Sequence, residues 1–237
     1  MSLYAIGDLH GCPDELEALL DAVAPGAGDT VVFLGDYVDR GPAVRRLVER
    51  LLRLEDEPFT SVFLRGNHED MLLAYLGLDG RYGEVYLENG GDKTLASYGI
   101  ASEVAPGAAS LAAFPEAHVA FLRNCRLLYL APPFLFVHAG IRPGVAIEEQ
   151  SVEDLLWIRD EFLLSPHALP YTVVFGHTPS REVRVELPYR LGLDTGLVYG
   201  NKLSCLDVDR RRLVQIARGA SRATIRDLAP AFAAAGL

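Results

Sequence analysis

Cysteine is scarce in this chain. Cys12, Cys125 and Cys205 are the only three among 237 residues, and their odd number, wide separation and lack of Cys-x-x-Cys spacing exclude a disulfide framework and a thiolate zinc cluster. A reducing cytoplasm is the expected location. Long apolar runs are also missing. The most apolar window, Leu127 to Ile141, falls short of the roughly 20 residues that cross a bilayer. Pro132-Pro133 interrupt it, so it reads as two strands around a turn, and no membrane association is expected. Met1-Ser2-Leu3-Tyr4 run straight into a strand-like segment with no basic n-region or cleavage site, so no secretion signal is expected. Positive charge is in deficit: 22 Lys and Arg against 32 Asp and Glu leave a net charge of -10. The average field repels polyanions, which argues against nucleic-acid binding. Small anionic substrates are not excluded, because bound divalent cations would reverse the field locally.

Half of the residues are hydrophobic and 23% are charged, the balance of a chain that folds by burying apolar surface. No long-period repeat or linker-like stretch divides it, so one domain over residues 1–237 is expected. Its motifs lie within 7–178, a hairpin at about 202–218 surrounds Asp209-Arg210-Arg211-Arg212, and an Ala-rich tail over 219–237 reads as peripheral. The first seventy or so residues repeat a pattern of apolar run, Gly-containing polar turn and helix-period segment, the opening of an α/β fold. Leu3 to Ile6 lead into Gly7-Asp8-Leu9-His10-Gly11, after which Pro13 opens a helix with Leu16, Leu19, Leu20 and Val23 on one face. Val31 to Leu34 lead into Gly35-Asp36-Tyr37-Val38-Asp39-Arg40-Gly41, with a helix expected from Pro42. Val62 to Leu64 lead into Arg65-Gly66-Asn67-His68-Glu69, followed by helical residues 71–76. Later, Phe134 to Val137 end in His138-Ala139-Gly140, and Val173 to Phe175 end in Gly176-His177-Thr178.

Each of these strands delivers Asp, Asn or His just past its carboxyl end, where α/β sheets place ligand-binding groups. Asp8, Asp36 and Asp39 gathered at neighbouring strand ends would repel and resist desolvation unless cations compensated them. Divalent metal ions do so economically. Carboxylate and amide oxygen combined with imidazole nitrogen suits manganese, iron or zinc, whereas an all-oxygen set would suit magnesium or calcium. The glycines at 7, 11, 35, 41 and 66 fit the same account, since backbone must bend and approach a ligand closely beside each donor. An isolated Gly-Asp pair more often caps a helix; five such turns in this order point to a metal site.

Taken together, GDLHG, GDYVDRG, RGNHE, HAG and GHT resemble the phosphoprotein phosphatase branch of the calcineurin-like metallophosphoesterases. They span Gly7 to Thr178, about three quarters of the chain. NGGDKTLASYG, WIRDEF and LDTG add similarity to bacterial and phage-type members. The resemblance implies an α/β sandwich of two mixed β-sheets flanked by helices, with a dinuclear centre at the strand ends. It implies one metal held by Asp8, His10 and Asp36 and a second by Asp36, Asn67, His138 and His177, with Asp36 bridging and manganese as the expected ion. A hydroxide generated between the cations would attack phosphorus in line. Arg40, Asn67 and, through WIRDEF, Arg159 are the expected phosphate-binding residues; Arg65 is a third arginine candidate, balanced by a role in holding its own turn. His68 resembles the general acid, oriented by Asp39.

Related nucleases commonly end in Gly-His-x-His, where this chain has Pro179, and this departure, the acidity and the lack of a basic stripe with interleaved aromatics all oppose a nuclease. The motifs favour a serine/threonine protein phosphatase acting on phosphorylated protein or small phosphate esters. A dinucleoside tetraphosphate hydrolase is the alternative; its symmetrical bacterial form typically carries Ala in place of Asp39 and GNHD in place of GNHE. A non-catalytic binding module on the same scaffold is the third reading, opposed by the complete ligand set. His118 and His167 read as surface or helix-face residues, Arg210-Arg211-Arg212 as a solvated turn, and Cys12 as a buried inert thiol. Loops 81–89 and 101–110 are expected to wall the pocket.

Overall fold

The computed structural model describes residues 1–101 and 104–237, so positions 102 and 103 of the second expected wall loop lie outside the described residues. The chain runs β1 (Leu3–Ile6), α1 (Pro13–Val23), β2 (Thr30–Phe33), α2 (Val44–Leu52), β3 (Thr60–Phe63), α3 (Asn67–Tyr75), α4 (Gly91–Ser97), α5 (Ala108–Leu111) and α6 (Glu116–Asn124). It continues with β4 (Leu128–Ala131), β5 (Phe134–Val137), α7 (Val152–Trp157), α8 (Asp160–Leu163), β6 (Thr172–Phe175), β7 (Arg184–Glu186) and β8 (Arg190–Gly192). It closes with β9 (Lys202–Asp207), β10 (Arg212–Ala217), β11 (Ala223–Asp227) and α9 (Ala229–Ala234). A six-stranded sheet has the order β11-β10-β9-β1-β2-β3 and a five-stranded sheet the order β4-β5-β6-β8-β7. Both are mixed: β1, β2 and β3 are parallel, as are β5, β6 and β8, while the flanking strands run antiparallel.

Alternation along the strands decides how the sheets pack. Ala5, Val32, Val62, Leu206 and Leu213 of the first sheet meet Phe134, Phe136, Val174 and Leu191 of the second in one apolar layer. The intervening residues Tyr4, Ile6, Val31, Phe33, Val214 and Ile216 turn outward against Leu16, Leu19, Leu47 and Leu51 of α1 and α2. Leu135, Val137, Val173 and Phe175 likewise turn against Leu155, Ile158 and Phe162. Two helix-covered sheets pressed face to face bring the carboxyl ends of β1, β2, β3, β5 and β6 to one edge.

Several boundaries differ from the sequence reading, with consequences for the site. The helix expected at Pro42 begins at Val44. The helix expected at 71–76 begins four residues earlier, because Gly66 caps it and the Glu69 carboxylate accepts the Gly66 N–H at 2.8 Å. Asn67 and His68 therefore sit on a rigid first turn instead of a loop. The tail over 219–237 is not merely peripheral: β11 extends the first sheet beside β10, and Leu228 and Phe232 insert into the layer between the sheets. The apolar residues spaced by four among alanines drive this docking. His118 lies on a face of α6 as expected, but that face is buried, and His167 is buried too; they bond Tyr98 Oη and the Tyr189 carbonyl at 2.8 Å each. Among the described residues no helix is long and apolar enough to cross a membrane.

Phe232 is 1% exposed, so Phe232→Ala should cost about 3 kcal/mol of unfolding free energy, the usual penalty for removing a buried aromatic ring. Urea unfolding indistinguishable from wild type would show that the tail does not contribute to the core.

Candidate metal centre

The turns after the strands are built on strained backbone. His10, Asp36, Asp39, Arg40 and His177 adopt φ of 38°, 54°, 70°, 64° and 63°, a region that costs a non-glycine residue of order 1 kcal/mol or more. Left-handed residues thus concentrate where the motifs converge. The close approach read from the glycines is real at Gly35 and Gly66, where a Cβ would press on the His138 ring and collide with the Asp36 carboxylate, and it recurs at Gly176, outside that set, against the Asp8 carboxylate.

Backbone contacts tie the turns together. The Leu9 and His10 N–H groups donate to the Asp36 carbonyl at 3.1 and 2.8 Å, and the Gly176 N–H to the His138 carbonyl at 2.8 Å. Glu69 accepts four backbone N–H groups, from Asp36 and Gly66 on Oε2 (2.9 and 2.8 Å) and from Tyr37 and Val38 on Oε1 (2.8 and 3.1 Å). Asp8 accepts the His177 N–H with both oxygens, at 3.2 and 3.1 Å, linking the two sheets.

Two donor clusters share Asp36. One comprises His10, Asp36 and His68, the other Asp36, His138 and His177, with ligand atoms in each within 4.8 Å of one another. His10 and His138 use Nδ1 to bond the Val38 and Leu34 carbonyls at 2.7 and 2.8 Å, which leaves each Nε2 turned toward Asp36 at 3.5 and 3.4 Å. The Asn67 amide oxygen lies 3.0 Å from His138 Nε2 and 2.9 Å from His177 Nδ1. All six expected ligands are buried. Asp8 falls outside both clusters, held instead by the His177 backbone, and His68 stands in the first of them.

His68 is committed elsewhere. Its Nδ1 donates to Asp39 Oδ2 at 2.6 Å, leaving Nε2 facing the centre, 3.9 Å from Asp36. Asp39 Oδ1 accepts the hydroxyls of Tyr86 and Thr94 at 2.7 and 2.6 Å, and the Asp39 N–H donates to Thr94 Oγ1 at 2.9 Å. Tyr86 and Thr94 carry a supporting function that residue reading did not assign, although Thr94 lies inside NGGDKTLASYG. Asp194 of LDTG was not picked out either; it is buried and receives the Gly196 N–H at 2.9 Å.

The arginines separate into two kinds. Arg40 Nη1 lies 2.7 Å from His10 Nε2, and Arg159 Nε donates to His177 Nε2 at 3.1 Å, so guanidinium groups stand at both ends of the donor set. Arg159 occupies the joint between α7 and α8. Arg65 instead bonds the Arg123 carbonyl at 2.8 Å and approaches Asp70 at 3.5 Å, holding α3 against the end of α6. The thiol of Cys12 is pushed up to about 11, mainly by burial, and its Sγ rests on the His10 carbonyl at 3.3 Å. Arg210 and Arg212 pair with Asp207 at 3.2 and 2.9 Å.

Titration behaviour fits a cation site. Burial lowers the His10 imidazole to about 3 and lowers His138 and His177 as well, which favours the neutral rings that a metal needs as ligands. Burial raises the Asp8 carboxyl far above its ordinary range, helped by Asp194 and Asp36, and raises Asp194 to about 6. Burial would raise Asp36 too, but the surrounding imidazoles outweigh it and hold it well below the usual carboxylate range. Crowded carboxylates, an amide oxygen and neutral imidazoles oriented by second hydrogen bonds match the requirements of a divalent metal pair.

A two-sheet α/β sandwich with this donor set between its strand ends defines a metal-dependent phosphoesterase. The chain belongs to the calcineurin-like phosphoesterases, whose family model matches residues 1–205. It is 28% identical to the asymmetrical bis(5'-nucleosyl)-tetraphosphatase PrpE of Halalkalibacterium halodurans, over 91% of this chain and 94% of that protein. It is 26% identical to the symmetrical bis(5'-nucleosyl)-tetraphosphatase of Aromatoleum aromaticum, over 92% and 98%. A crystal structure assigned provisionally as a diadenosine tetraphosphatase superposes with a TM-score of 0.70 at 25% identity, covering 92% of this chain and 93% of that one.

Two outcomes follow from this geometry. Glu69→Gln replaces an acceptor oxygen by an NH2 group facing N–H donors and should cost about 3 kcal/mol of stability by urea unfolding, given roughly 1–3 kcal/mol for each buried group left unpaired. An unchanged midpoint would refute the clamp. Manganese should raise the melting temperature of the metal-free protein less at pH 5 than at pH 7.5. Asp8 and Asp194 have raised pKa values and hold protons at the lower pH, which the cation must displace, whereas the lowered imidazoles do not compete. Equal increments at both pH values would show that these carboxyls do not gate binding.

Proposed function

We propose that this chain hydrolyses dinucleoside tetraphosphates, with residues 1–237 acting as one catalytic domain. The observation that carries this reading is the end-to-end similarity to bis(5'-nucleosyl)-tetraphosphatases over more than nine tenths of both chains. The motifs had favoured a protein phosphatase because Asp39 and the GNHE glutamate match that branch. In this fold Asp39 orients a histidine and Glu69 binds backbone, so neither reads the group attached to the phosphate, and their identity weighs little on substrate choice. The three buried free cysteines support a cytoplasmic location.

In this proposal Asp8, His10 and Asp36 hold one divalent ion and Asp36, Asn67, His138 and His177 the other, with manganese favoured over iron or zinc. When bound, the ions would supply Lewis acidity toward water and phosphoryl oxygen. The residues supply the rest. Arg40 and Arg159, at opposite ends of the donor set, grip non-bridging oxygens of the polyphosphate along with the Asn67 amide and stabilise charge that spreads over them during displacement. Water adds to phosphorus as the bridging P–O bond breaks, the departing nucleotide phosphate takes a proton from His68 Nε2, and the proton released from the attacking water restores the imidazole through solvent. Two opposing influences act on that imidazole: burial lowers its pKa, but the charges of Asp36 and Asp39 prevail and raise it above the ordinary histidine value, which favours the protonated form. Tyr86 and Thr94 fix Asp39, and Asp39 fixes the ring.

Purified protein loaded with manganese should cleave diadenosine tetraphosphate and leave a phosphoserine peptide nearly untouched, with chelation abolishing turnover and added metal restoring it. Preference for the phosphopeptide would return the protein phosphatase reading; indifference to chelation would sink the metal-dependent account. His68→Asn should lower turnover of an alkyl phosphate by about a hundredfold and that of diadenosine tetraphosphate by less, since a phosphate oxygen leaves far more readily unprotonated than an alkoxide. Equal losses on both would count against His68 as the proton donor.

A further inference from the structure

Beside the donor set lies a groove of about 370 Å³ whose lining includes Ser180, Arg181, Gly196, Tyr199, Gly200 and Asn201. Tyr199 is 63% exposed, the most exposed of the tyrosines at the surface among the described residues. It ends a single 3-10 turn, Leu197–Tyr199, bounded by Gly196 and Gly200, both in left-handed conformations with φ of 67° and 90°. Leu197 of the same turn is buried in the core at 2% exposure, so the turn is anchored inward while its aromatic ring is held outward. Gly196 and Gly200 place no side chains beside that ring.

The turn is fastened to the chemistry. The Gly196 N–H donates to Asp194, whose carboxyl feels the charges of Asp36, Arg40 and Arg159. The Arg40 guanidinium carbon stands 5.7 Å from the centroid of the Tyr199 ring, within cation–π range, while Arg40 Nη1 reaches His10. A single arginine therefore joins the donor set to an exposed aromatic face bordering a groove. The Tyr199 hydroxyl has no hydrogen-bond partner among the described residues, so polar bonding does not account for the placement of this ring.

We propose that Tyr199 is a specificity-determining residue: its ring stacks a nucleobase of the substrate, seated in the groove, while Arg40 holds the adjoining phosphates. This rests on the dinucleotide reading above and deepens it. A flat π-face accepts any base, so the platform favours nucleotides over non-aromatic esters without choosing among bases.

The test compares Tyr199→Ala, Tyr199→Phe and wild type, each loaded with manganese, on diadenosine tetraphosphate and on glycerol 2-phosphate. The alanine variant should lose about tenfold to a hundredfold in kcat/KM on the dinucleotide, mostly through KM, the usual effect of removing a base-stacking ring. Its rate on glycerol 2-phosphate should stay within about twofold, and the phenylalanine variant should match wild type on both. A companion measurement is inhibition of glycerol 2-phosphate turnover by AMP relative to inorganic phosphate. AMP should bind more tightly than phosphate to wild type and to Tyr199→Phe, and lose that advantage in Tyr199→Ala. Wild-type failure to cleave diadenosine tetraphosphate would overturn the substrate reading, while an AMP advantage that depends on the ring would still support the platform. Unaltered dinucleotide kinetics and AMP inhibition in the alanine variant would overturn the platform alone.

Discussion

One buried carboxylate holds the catalytic turns in register. Glu69 binds the backbone N–H groups of Asp36, Tyr37, Val38 and Gly66, and in doing so ties the turn after β2 to the helix start after β3. An acceptor with two oxygens suits this because four donors converge from two directions, and no neutral side chain offers acceptors alone on both atoms. Burial and the nearby Asp36 charge raise the Glu69 carboxyl to about 7, against the pull of the N–H groups. The contact therefore stands in tension, and the left-handed φ of Asp36 is part of what it sustains. The position of the shared Asp36 carboxylate, the first turn of α3 and the position of Asn67 all follow from this clamp.

A second constraint is electrostatic. Desolvation on its own would raise every acid in the centre, yet the Asp36 carboxyl is held low by the imidazoles around it, of which His68 is the one whose own pKa is raised, while Asp8 and Asp194 are pushed the other way. The result is a graded set of donors: imidazoles already deprotonated, a central carboxylate already ionised, and outer carboxyls that ionise when a cation compensates them. Such a site is costly to bury without metal and well prepared to receive it.

The gathering of the motif residues was legible because each occupies the same place in a repeated strand-turn pattern, and strand polarity alone sends those turns to one edge. The α/β opening that β1, β2 and β3 form was equally readable, whereas the facing of Ala5 and Val32 toward one layer and of Tyr4 and Val31 toward the other came from the structure. What escaped residue reading depends on contacts distant in sequence. Tyr86 and Thr94 reach Asp39 across 47 and 55 positions, and no periodicity marks a residue for that purpose. The docking of Phe232 was hidden because an Ala-rich segment has a weak apolar pattern, although two well-spaced large residues suffice to bind it. The burial of His118, on a face of α6, and of His167 was not legible, because a lone histidine carries no sign of the carbonyl or hydroxyl that satisfies it.

Substrate choice was the least legible property, and the reason lies in how the fold divides its labour. The residues that distinguish one family branch from another in the motifs, Asp39 and Glu69, face the interior, where they orient a histidine and bind backbone. The turn carrying Tyr199, which borders a groove next to Arg40, lies outside the five motifs. That turn is not independent of the centre, since Asp194 joins it to the buried acids and Arg40 spans from the donor set to its ring. The motifs and the Tyr199 turn are thus encoded in different stretches of sequence but joined in the folded protein, so a complete set of catalytic motifs specifies phosphoester chemistry without specifying the surface that surrounds it.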